Sequence, residues 1–410
     1  MTFKFEGLWA RTARFMAVLG AAAAMVACGG GGGGGATGGE GTLRVALTDS
    51  AAGCDYAHVY VTVEKVRVHQ SAGAADADAG WSEMIVSPAV RVDLRTLTNG
   101  VLQELGTMPL PAGQYSQIRL VLASNTGSGT ATMANAVQPV GGALTPMSTP
   151  SGQQSGLKLQ AHFEVAAGQM ADLVLDFDPC RSVVKAGHSG QYLLKPVISV
   201  MQRTVTMIQG FISTTLSLGS TTVAAQQDGV TVRSTVPDGN GKFSIPYLPA
   251  GNYTLVVSSD GRATAVITGV PAGTLTTVVN GTATAIAPPL SSMADVTGTV
   301  TLSSVSGSTT VSTALTEADV RALQPLTGGP LIELGNKPVD GVLGSYAFRL
   351  PVGAPVKAAY SAGAALSFAP DATAAGKYTI QVQSPGRPAQ EKPANISSGA
   401  STMVNFNYTQ

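Results

Sequence analysis

The chain is poor in charged and in aromatic side chains. Of its 410 residues, 12% are charged and 5% are aromatic, and 24 basic residues balance 24 acidic ones. A surface that binds nucleic acid needs clustered positive charge, so no nucleic acid is expected as a partner. Long helices with charged outer faces are not expected either. The 49 glycines and the many Val and Thr residues instead predict short strands joined by tight turns.

Histidine, a frequent general base and metal ligand, occurs four times. His58 and His69 share one predicted strand and would lie about 36 Å apart along it, at about 3.3 Å per residue. His162 and His188 have no His, Cys or Glu partner at ligand spacing. Ser189 lies in a Gly-His-Ser-Gly turn that lacks the last glycine of a nucleophile elbow. We therefore predict no catalysis and no cofactor, with an envelope hydrolase as a distant alternative.

Two acidic stretches are candidates for binding a hard cation. Asp172, Asp176 and Asp178 alternate along one face of a predicted strand, where their carboxylates could bind such an ion. A solvated face or a set of turn caps explains these three residues better. The second stretch, Asp238–Lys242, resembles a calcium loop, but it contains a lysine and lacks the bidentate glutamate. No metal site is therefore predicted.

Tryptophan occurs twice, at Trp9 and Trp81. Trp9 lies in a predicted leader segment, and Trp81 borders a strand, where a core position is expected. Binding of glycans relies on exposed aromatic platforms, so this scarcity argues against a dedicated carbohydrate-binding protein. That function remains the alternative to the one predicted below.

The first residues have the order of a secretory signal. Basic residues precede the uncharged stretch Phe15–Ala24, and small residues follow it. Thirteen residues separate Arg14 from Cys28, fewer than the roughly 20 that span a bilayer. The sequence Met-Val-Ala-Cys at 25–28 resembles the bacterial lipobox. That resemblance implies a signal peptide over 1–27 and a mature N-terminal Cys28 carrying acyl chains such as palmitate. The alternative is an ordinary signal peptide with an incidental cysteine.

Seven consecutive glycines, Gly29–Gly35, follow the predicted lipid site. Such a run behaves as a flexible coil, and residues 28–40 form a tether with a root-mean-square reach of about 20 Å. A phosphate-binding loop is excluded because no strand precedes the run and no Gly-Lys-Ser/Thr follows it. Gly29 directly after the cysteine resembles the pattern of lipoproteins sorted to the outer membrane. The predicted location is therefore the bacterial outer membrane, on its periplasmic or surface face.

The other two cysteines are Cys54 and Cys180, which lie 126 residues apart. An even pair in an exported protein predicts a disulfide, and two free buried thiols are the alternative. A loop of that length would contribute about 4–5 kcal/mol in the chain-entropy model.

Residues 41–202 are predicted to form one β-rich unit. In His58–His69 the buried parity slips by one residue, which predicts a bulge near Glu64 or a strand that changes sheets. Pro196 favours an edge position for the strand Tyr192–Val200. The stretch 125–156, rich in Gly, Thr and Ser, is predicted to be a long loop, with a poor hairpin as the alternative, and the first contact with a partner.

Seven segments of this unit resemble, in order, a bacterial lipoprotein domain known as domain of unknown function 4382. They are GTLRVALTDS, VYVTVEKVRVH, VDL, LPAGQYSQIRL, LKL, LDFD and YLLKPVI. The resemblance implies an exported β-rich domain of no known activity.

Two further units are predicted, over 203–288 and 289–410. The stretch Asp238–Val257 (DGNGKFSIPYLPAGNYTLVV) resembles carboxypeptidase regulatory-like domains, which implies a non-catalytic, transthyretin-like sandwich with a carbohydrate-binding-like fold. Tyr253 follows Pro-Ala-Gly as Tyr115 does in the first unit, and both are predicted to be core or corner residues. The last unit is predicted to be a diverged sandwich with one short helix at Thr316–Leu323, since Thr316 and Asp319 suggest a capping box.

The sequence therefore predicts an all-β chain of tandem β-sandwich domains, transthyretin-like or Ig-like, after a signal peptide and a glycine tether. The predicted function is that of a membrane-anchored, non-catalytic binding or structural lipoprotein. Its partner would be an envelope protein or glycan, in addition to the membrane that the lipid enters.

Overall fold

The computed structural model describes residues 39–49, 54–126, 133–149, 155–306 and 309–409. Nearly all of the regular secondary structure in this part of the chain is β-strand, which confirms the predicted all-β class. The same part contains one single-turn helix, α1 (Pro179–Ser182), and short 3-10 turns at Leu94–Thr96, Leu218–Ser220, Thr282–Thr284 and Ala372–Ala374.

The first unit is a sandwich of a four-stranded and an eight-stranded sheet. Its strands are β1 (Glu40–Asp49), β2 (Tyr56–His69), β3 (Ser82–Asp93), β4 (Gln103–Pro111), β5 (Gly113–Leu122), β6 (Ala136–Pro139), β7 (Thr145–Ser148), β8 (Leu157–Val165), β9 (Met170–Asp178), β10 (Val183–Ala186), β11 (Gln191–Leu194) and β12 (Val197–Gln202). The smaller sheet has the order β12-β9-β1-β4. The larger has the order β10-β11-β7-β6-β2-β5-β8, with β3 also paired to β2. Apolar side chains of β1, β4 and β9 pack on those of β2, β5 and β8.

The predicted bulge in β2 is present. The pairing register of β2 shifts between Val63 and Lys65 against both β3 and β5. Val63 and Val66 are both fully buried although their positions differ in parity. One extra residue therefore lets a single long strand bury valines on both sides of the slip.

The stretch predicted to be a long loop, 125–156, is partly strand. Its described residues contain the hairpin β6–β7, which lies between β2 and β11 inside the larger sheet. The side chain of Asn125 holds the start of this stretch, because its Oδ1 accepts from the amide of Asn135 at 2.8 Å. Its Nδ2 donates to the carbonyls of Asn135 and Met147, each at 2.9 Å. This stretch therefore cannot be deleted without removing two strands of the sheet.

The predicted strand Tyr192–Val200 is divided at Pro196. β11 ends at Leu194 in the larger sheet, and β12 begins at Val197 on the edge of the smaller sheet. The edge position is confirmed, and the chain changes sheets at the proline because that residue cannot donate to a ladder.

The second unit is also a sandwich. Its strands are β13 (Met207–Phe211), β14 (Thr221–Gln227), β15 (Val230–Thr235), β16 (Lys242–Pro246), β17 (Gly251–Ser259), β18 (Ala265–Ala272) and β19 (Thr277–Val278). A three-stranded sheet, β16-β13-β19, packs on a sheet that begins β15-β14-β17-β18. Two later strands, β25 (Val356–Ala359) and β26 (Ala369–Pro370), extend this second sheet beyond β18.

The third unit packs two sheets around its own core. Its strands are β20 (Met293–Ser306), β21 (Thr309–Ala314), β22 (Asp319–Pro325), β23 (Leu331–Pro338), β24 (Ser345–Pro351), β27 (Lys377–Gln383), β28 (Gln390–Asn395), β29 (Thr402–Met403) and β30 (Phe406–Thr409). One sheet has the order β21-β20-β24, with β29 and β30 paired in parallel to β20. The other has the order β23-β22-β27-β28.

The helix predicted at Thr316–Leu323 is wrong. Strand β22 begins at Asp319, and its pairing with β23 and β27 takes up the segment. Val320 and Ala322 alternate into the core and are fully buried, as a strand requires. Tertiary pairing overrides a helix of two turns, because so short a helix is marginal without packing of its own.

Candidate functional site

The predicted lipid site Cys28 and the glycine run Gly29–Gly35 lie outside the described residues, the first of which is Gly39. Acylation of Cys28 and the flexibility of Gly29–Gly35 therefore remain predictions. Within the described ranges, no helix is long and apolar enough to cross a membrane.

The predicted disulfide joins Cys54 and Cys180, whose Cα atoms lie 5.4 Å apart. Cys180 lies in α1, and Asp178 caps this turn by accepting a hydrogen bond from the amide of Arg181 at 3.0 Å. Cys54 lies just before β2. The bridge therefore ties the end of the smaller sheet of the first unit to the start of the larger sheet.

The three candidate aspartates do not converge. Asp172 is paired with Arg44, whose Nε lies 3.0 Å from its Oδ1. Asp176 is buried beside Arg233, and Asp178 caps α1. Among the described residues, no three His, Cys, Asp or Glu side chains form a group that could hold a metal ion.

The histidines are scattered over the first unit. Nδ1 of His58 lies 2.6 Å from a carboxylate oxygen of Asp93, and Nε2 of His69 lies 3.0 Å from the carbonyl of Ala79. His162 and His188 are both exposed. These positions bring no two histidines to one site.

The remaining sequence candidates make local contacts. Oγ of Ser189 donates to the carbonyl of Ala186 at 2.6 Å, which is a turn contact. Oδ1 of Asp238 accepts from the amides of Asn240 and Lys242, both at 2.9 Å, which closes a tight turn.

Trp81 lies half-buried on the first unit. Its indole donates to the carbonyl of Ala75 at 2.9 Å. The guanidinium groups of Arg67 and Arg119 lie 4.6 and 4.5 Å from its ring centroid. Trp81 therefore lies among charged side chains at the surface of the unit and not in the core position predicted from its sequence.

A set of buried polar groups lies where the three units meet. Arg233, on β15, and Asp176, on β9, have side chains that are each 2% exposed, and Nη1 lies 3.3 Å from Oδ2. Nη2 of Arg233 lies 3.4 Å from Oγ1 of Thr48, the residue of β1 that pairs with Asp176. One guanidinium from the second unit therefore contacts two strands of the first.

Asn99 makes a second connection between these two units. Its side-chain Nδ2 donates to the carbonyl of Val236 at 2.7 Å, and its Oδ1 accepts from the amide of Ser244 at 2.9 Å. Asn99 has a φ of 57°, a left-handed conformation that asparagine tolerates better than most residues. The Asn-Gly turn at 99–100 thus places an amide side chain against the second unit.

The second and third units are joined by a reciprocal amide contact. Nε2 of Gln226 donates to the carbonyl of Glu333 at 2.6 Å, and the amide of Glu333 donates back to Oε1 at 2.9 Å. The Glu333 carboxylate accepts from Nε of Arg321 at 2.5 Å, and Nη2 of Arg321 donates to the carbonyl of Gly229 at 2.5 Å.

The first and third units meet at Asp340, whose carboxylate accepts from the amide of Gly187 at 2.9 Å.

A cavity of about 120 Å³ lies beside the Arg233–Asp176 pair and Glu333. Its lining includes Asp176, Asp178, Arg233, Glu333 and Asn336. Burial raises the pKa of Asp178 to about 6, and the amide of Arg181 opposes that shift by hydrogen bonding. Side chains of both charge signs and several hydroxyl groups line this space. The cavity lies at the joint between the units, which is the contact region formed by Arg233, Asn99, Gln226, Asp340 and their partners.

Sequence reasoning did not find the joint residues Arg233, Asn99, Gln226 and Asp340. Asn99, Gln226 and Asp340 each contact a residue more than 100 positions away. Arg233 contacts Thr48, 185 positions away, and Asp176, 57 positions away. The one local signal is the charge of Arg233 at an inward position of a strand. An amide or carboxylate in a turn gives no such signal by itself.

Comparison with known proteins gives two family matches. Residues 40–196 match the model of a domain of unknown function, DUF4382. Residues 208–284 match that of the carboxypeptidase regulatory-like domain. No curated protein matches the chain.

Solved structures give only loose alignments. A chain of a type II cohesin–X-dockerin complex from Acetivibrio cellulolyticus is 28% identical over 21% of this chain and 56% of its own length, with a TM-score of 0.17. The Bacillus anthracis TIE protein is 11% identical over 90% of this chain and 50% of its own length, also with a TM-score of 0.17. The aligned regions thus span 50–56% of these two structures, and they assign neither fold nor partner. The two family matches do have the predicted order: the chain carries a DUF4382 domain followed by a carboxypeptidase regulatory-like domain.

Proposed function

We propose that the protein is an exported lipoprotein, anchored through Cys28, whose body is a non-catalytic binding or structural module of the cell envelope. The observation that carries this proposal is the joint between the three units. Arg233, Gln226 and Asp340 each bridge two units through groups that are buried or partly buried. A body fixed in this way on a flexible tether is suited to presenting a surface rather than to closing around a substrate.

Export is supported by the cysteine usage. The chain forms a bridge between Cys54 and Cys180, and such bridges persist in oxidising compartments. The lipobox resemblance at 25–28 supplies the anchor, and several acyl chains hold a protein firmly at a membrane. Sorting to the outer membrane belongs to the same proposal.

Metabolic labelling with a fatty acid tests the anchor. The wild-type chain should be labelled and should fractionate with the outer membrane, whereas Cys28→Ala should be unlabelled. Cys54→Ala is the matched control, because it removes a cysteine and should keep the label. Equal labelling of wild type and Cys28→Ala would reject the anchor.

Turnover of purified envelope polymers tests the absence of catalysis. Ser189→Ala is the informative variant, since the hydroxyl makes only turn contacts and its loss should leave the fold intact. Asp176→Ala is a poor choice, because it removes one partner of a buried ion pair. Turnover by the wild type that Ser189→Ala abolishes would overturn the non-catalytic proposal.

A further inference from the structure

Strand β21 is an outer strand that lacks the features that usually protect a sheet edge. Natural proteins block such edges with charged residues, proline or bulges. Among the described outer strands of four or more residues, β12, β21 and β30 contain neither a charged residue nor a proline. The pairing of β21 with β20 also runs without a register shift, so no bulge turns the edge away.

Two of these three edges are covered by other side chains. Sδ of Met201, in β12, lies 3.1 Å from the Arg233 guanidinium. In β30, the carbonyl of Asn407 accepts from Nε2 of Gln390 at 3.1 Å. Strand β21 has no comparable cover within the described residues, and Ser312 and its neighbours are exposed.

The hydrogen bonds between β21 and β20 show which main-chain N–H and C=O groups of β21 point away from β20. The amide of Leu315 donates to the carbonyl of Val300 at 2.9 Å. Bonded and non-bonded pairs alternate in an antiparallel ladder. The main-chain groups of Val311 and Thr313 therefore face β20, whereas those of Thr310, Ser312 and Ala314 face away from it.

This outward set is complementary to itself. When a second β21 approaches antiparallel about a two-fold axis at Ser312, Ser312 meets its own copy and Thr310 meets Ala314. About six main-chain hydrogen bonds would then form. Val311, which is 48% exposed, would lie beside Thr313 of the other strand, and two β-branched side chains pair favourably in a sheet. No like charges would face each other.

We propose that β21 is the contact through which two copies of this chain pair edge to edge. The two sheets would join in the order β30-β20-β21-β21-β20-β30, with a closed two-fold interface. Closure matters because each copy then uses the β21 edge on the other copy, and pairing through this edge stops at two. A single six-residue strand gives a small interface, so the pairing is weak and depends on concentration.

A charge exchange at Ser312 tests this pairing. The full-length chain is examined by sedimentation equilibrium up to about 1 mM, the range in which a weak interface is occupied. The wild type should form dimers. Ser312→Lys and Ser312→Glu, each alone, should weaken dimerisation by at least about tenfold, because like charges would be directly opposite. An equimolar mixture of the two variants should recover it as a mixed dimer.

Two controls separate this contact from others. Ser312→Ala keeps the main-chain groups and should dimerise as the wild type does. Ser361→Lys adds the same charge at another exposed position and should also leave dimerisation unchanged. A wild type that stays monomeric, or a mixture of Lys and Glu variants that does not recover dimers, overturns the proposal.

Cross-linking gives an independent measurement of the register. Bonded antiparallel pairs have Cα atoms about 5.5 Å apart, within the range of a disulfide. Ser312→Cys should therefore form a covalent dimer under mild oxidation. Thr313→Cys should form much less, since its opposite residue is Val311. Equal cross-linking of the two variants would show that the register is not the one proposed.

Discussion

A tyrosine hydroxyl donates a hydrogen bond to a proline carbonyl in each of the three units. Oη of Tyr115 donates to the carbonyl of Pro111 at 3.0 Å, and Oη of Tyr253 donates to that of Pro249 at 2.7 Å. In the third unit, Oη of Tyr378 donates to the carbonyl of Pro351 at 2.5 Å. The first two pairs share the motif Leu-Pro-Ala-Gly-x-Tyr and were predictable from it. The third was not, because its tyrosine comes from another strand, 27 residues later.

Replacing Tyr253 by Phe tests how much this hydrogen bond contributes. The Pro249 carbonyl would lose its buried donor, so we expect the free energy of unfolding to fall by about 1–2 kcal/mol in urea titrations. Tyr360→Phe is the matched control, because the Tyr360 hydroxyl makes no hydrogen bond with a described residue. A loss at Tyr360 as large as that at Tyr253 would mean that the hydrogen bond is not the cause.

Asp178 gives the fold a pH dependence at the joint. Burial raises its pKa to about 6 in the folded chain, above the ordinary value near 3.9. The folded state therefore favours the protonated acid. The contribution of Asp178 to the free energy of unfolding is fully present below about pH 4 and is lost as the pH rises through about 6.

Asp178→Asn removes this titration and keeps an oxygen for the amide of Arg181. We expect the variant to match the wild type near pH 4 and to exceed it by about 2 kcal/mol above pH 7. One pKa unit corresponds to about 1.4 kcal/mol, and the side chain keeps some contact with solvent. Denaturant unfolding at a series of pH values measures the difference, and a difference that is constant with pH would contradict the assignment.

At the scale of elements, the arm β25–β26 shows how one unit can depend on another. This arm follows the third unit's strand β24 in sequence, yet β25 pairs in parallel with β18 of the second unit. The amide of Val356 donates to the carbonyl of Thr264 at 2.8 Å, and that of Tyr360 donates to Thr268 at 2.9 Å. Val356 is 7% exposed and belongs to the core of the second unit. The arm therefore completes a sandwich that begins more than 100 residues earlier.

Val356→Ala is expected to destabilise the second unit although the residue lies far from it in sequence. Loss of two buried methyl groups should cost about 1–3 kcal/mol. Hydrogen exchange of the β18 amides should speed up, while that of β20 and β22 should change little. Val311→Ala, at an exposed position, is the control with the same chemical change. Unchanged exchange in β18 would show that the arm does not stabilise this sheet.

The strands that the sequence predicted correctly are those in which one face is buried. Apolar and polar residues alternate in β1 and β9, and the buried valines of β2 change parity at the bulge. Both patterns follow directly from which side chains are buried, so they are visible in the sequence. The helix at Thr316–Leu323 failed for the opposite reason, since the partners β23 and β27 decide its conformation. The arm and the joint could not be predicted, because both depend on contacts between distant segments. The disulfide could be predicted because only two cysteines remained after the lipid site was assigned.

At the scale of the whole molecule, the Arg233–Asp176 pair is a buried ionic contact between the first and second units. Both side chains are nearly inaccessible to solvent, and removal of one partner of a buried pair typically costs about 3–5 kcal/mol. Replacing both partners by apolar residues of similar size is often close to neutral. The pair therefore serves more to fix the arrangement of the first and second units than to add net stability.

Arg233→Met should lower the free energy of unfolding by about 3 kcal/mol and separate the calorimetric transitions of the first and second units. Combining it with Asp176→Leu should recover much of the loss, because no charge then remains at the contact. Arg349→Met is the control, since the Arg349–Asp260 pair is more than half exposed and such pairs contribute about 0–1 kcal/mol. A single transition with an unchanged midpoint in Arg233→Met would contradict the coupling role of the pair and would mean that other contacts, such as those of Asn99, hold these units together.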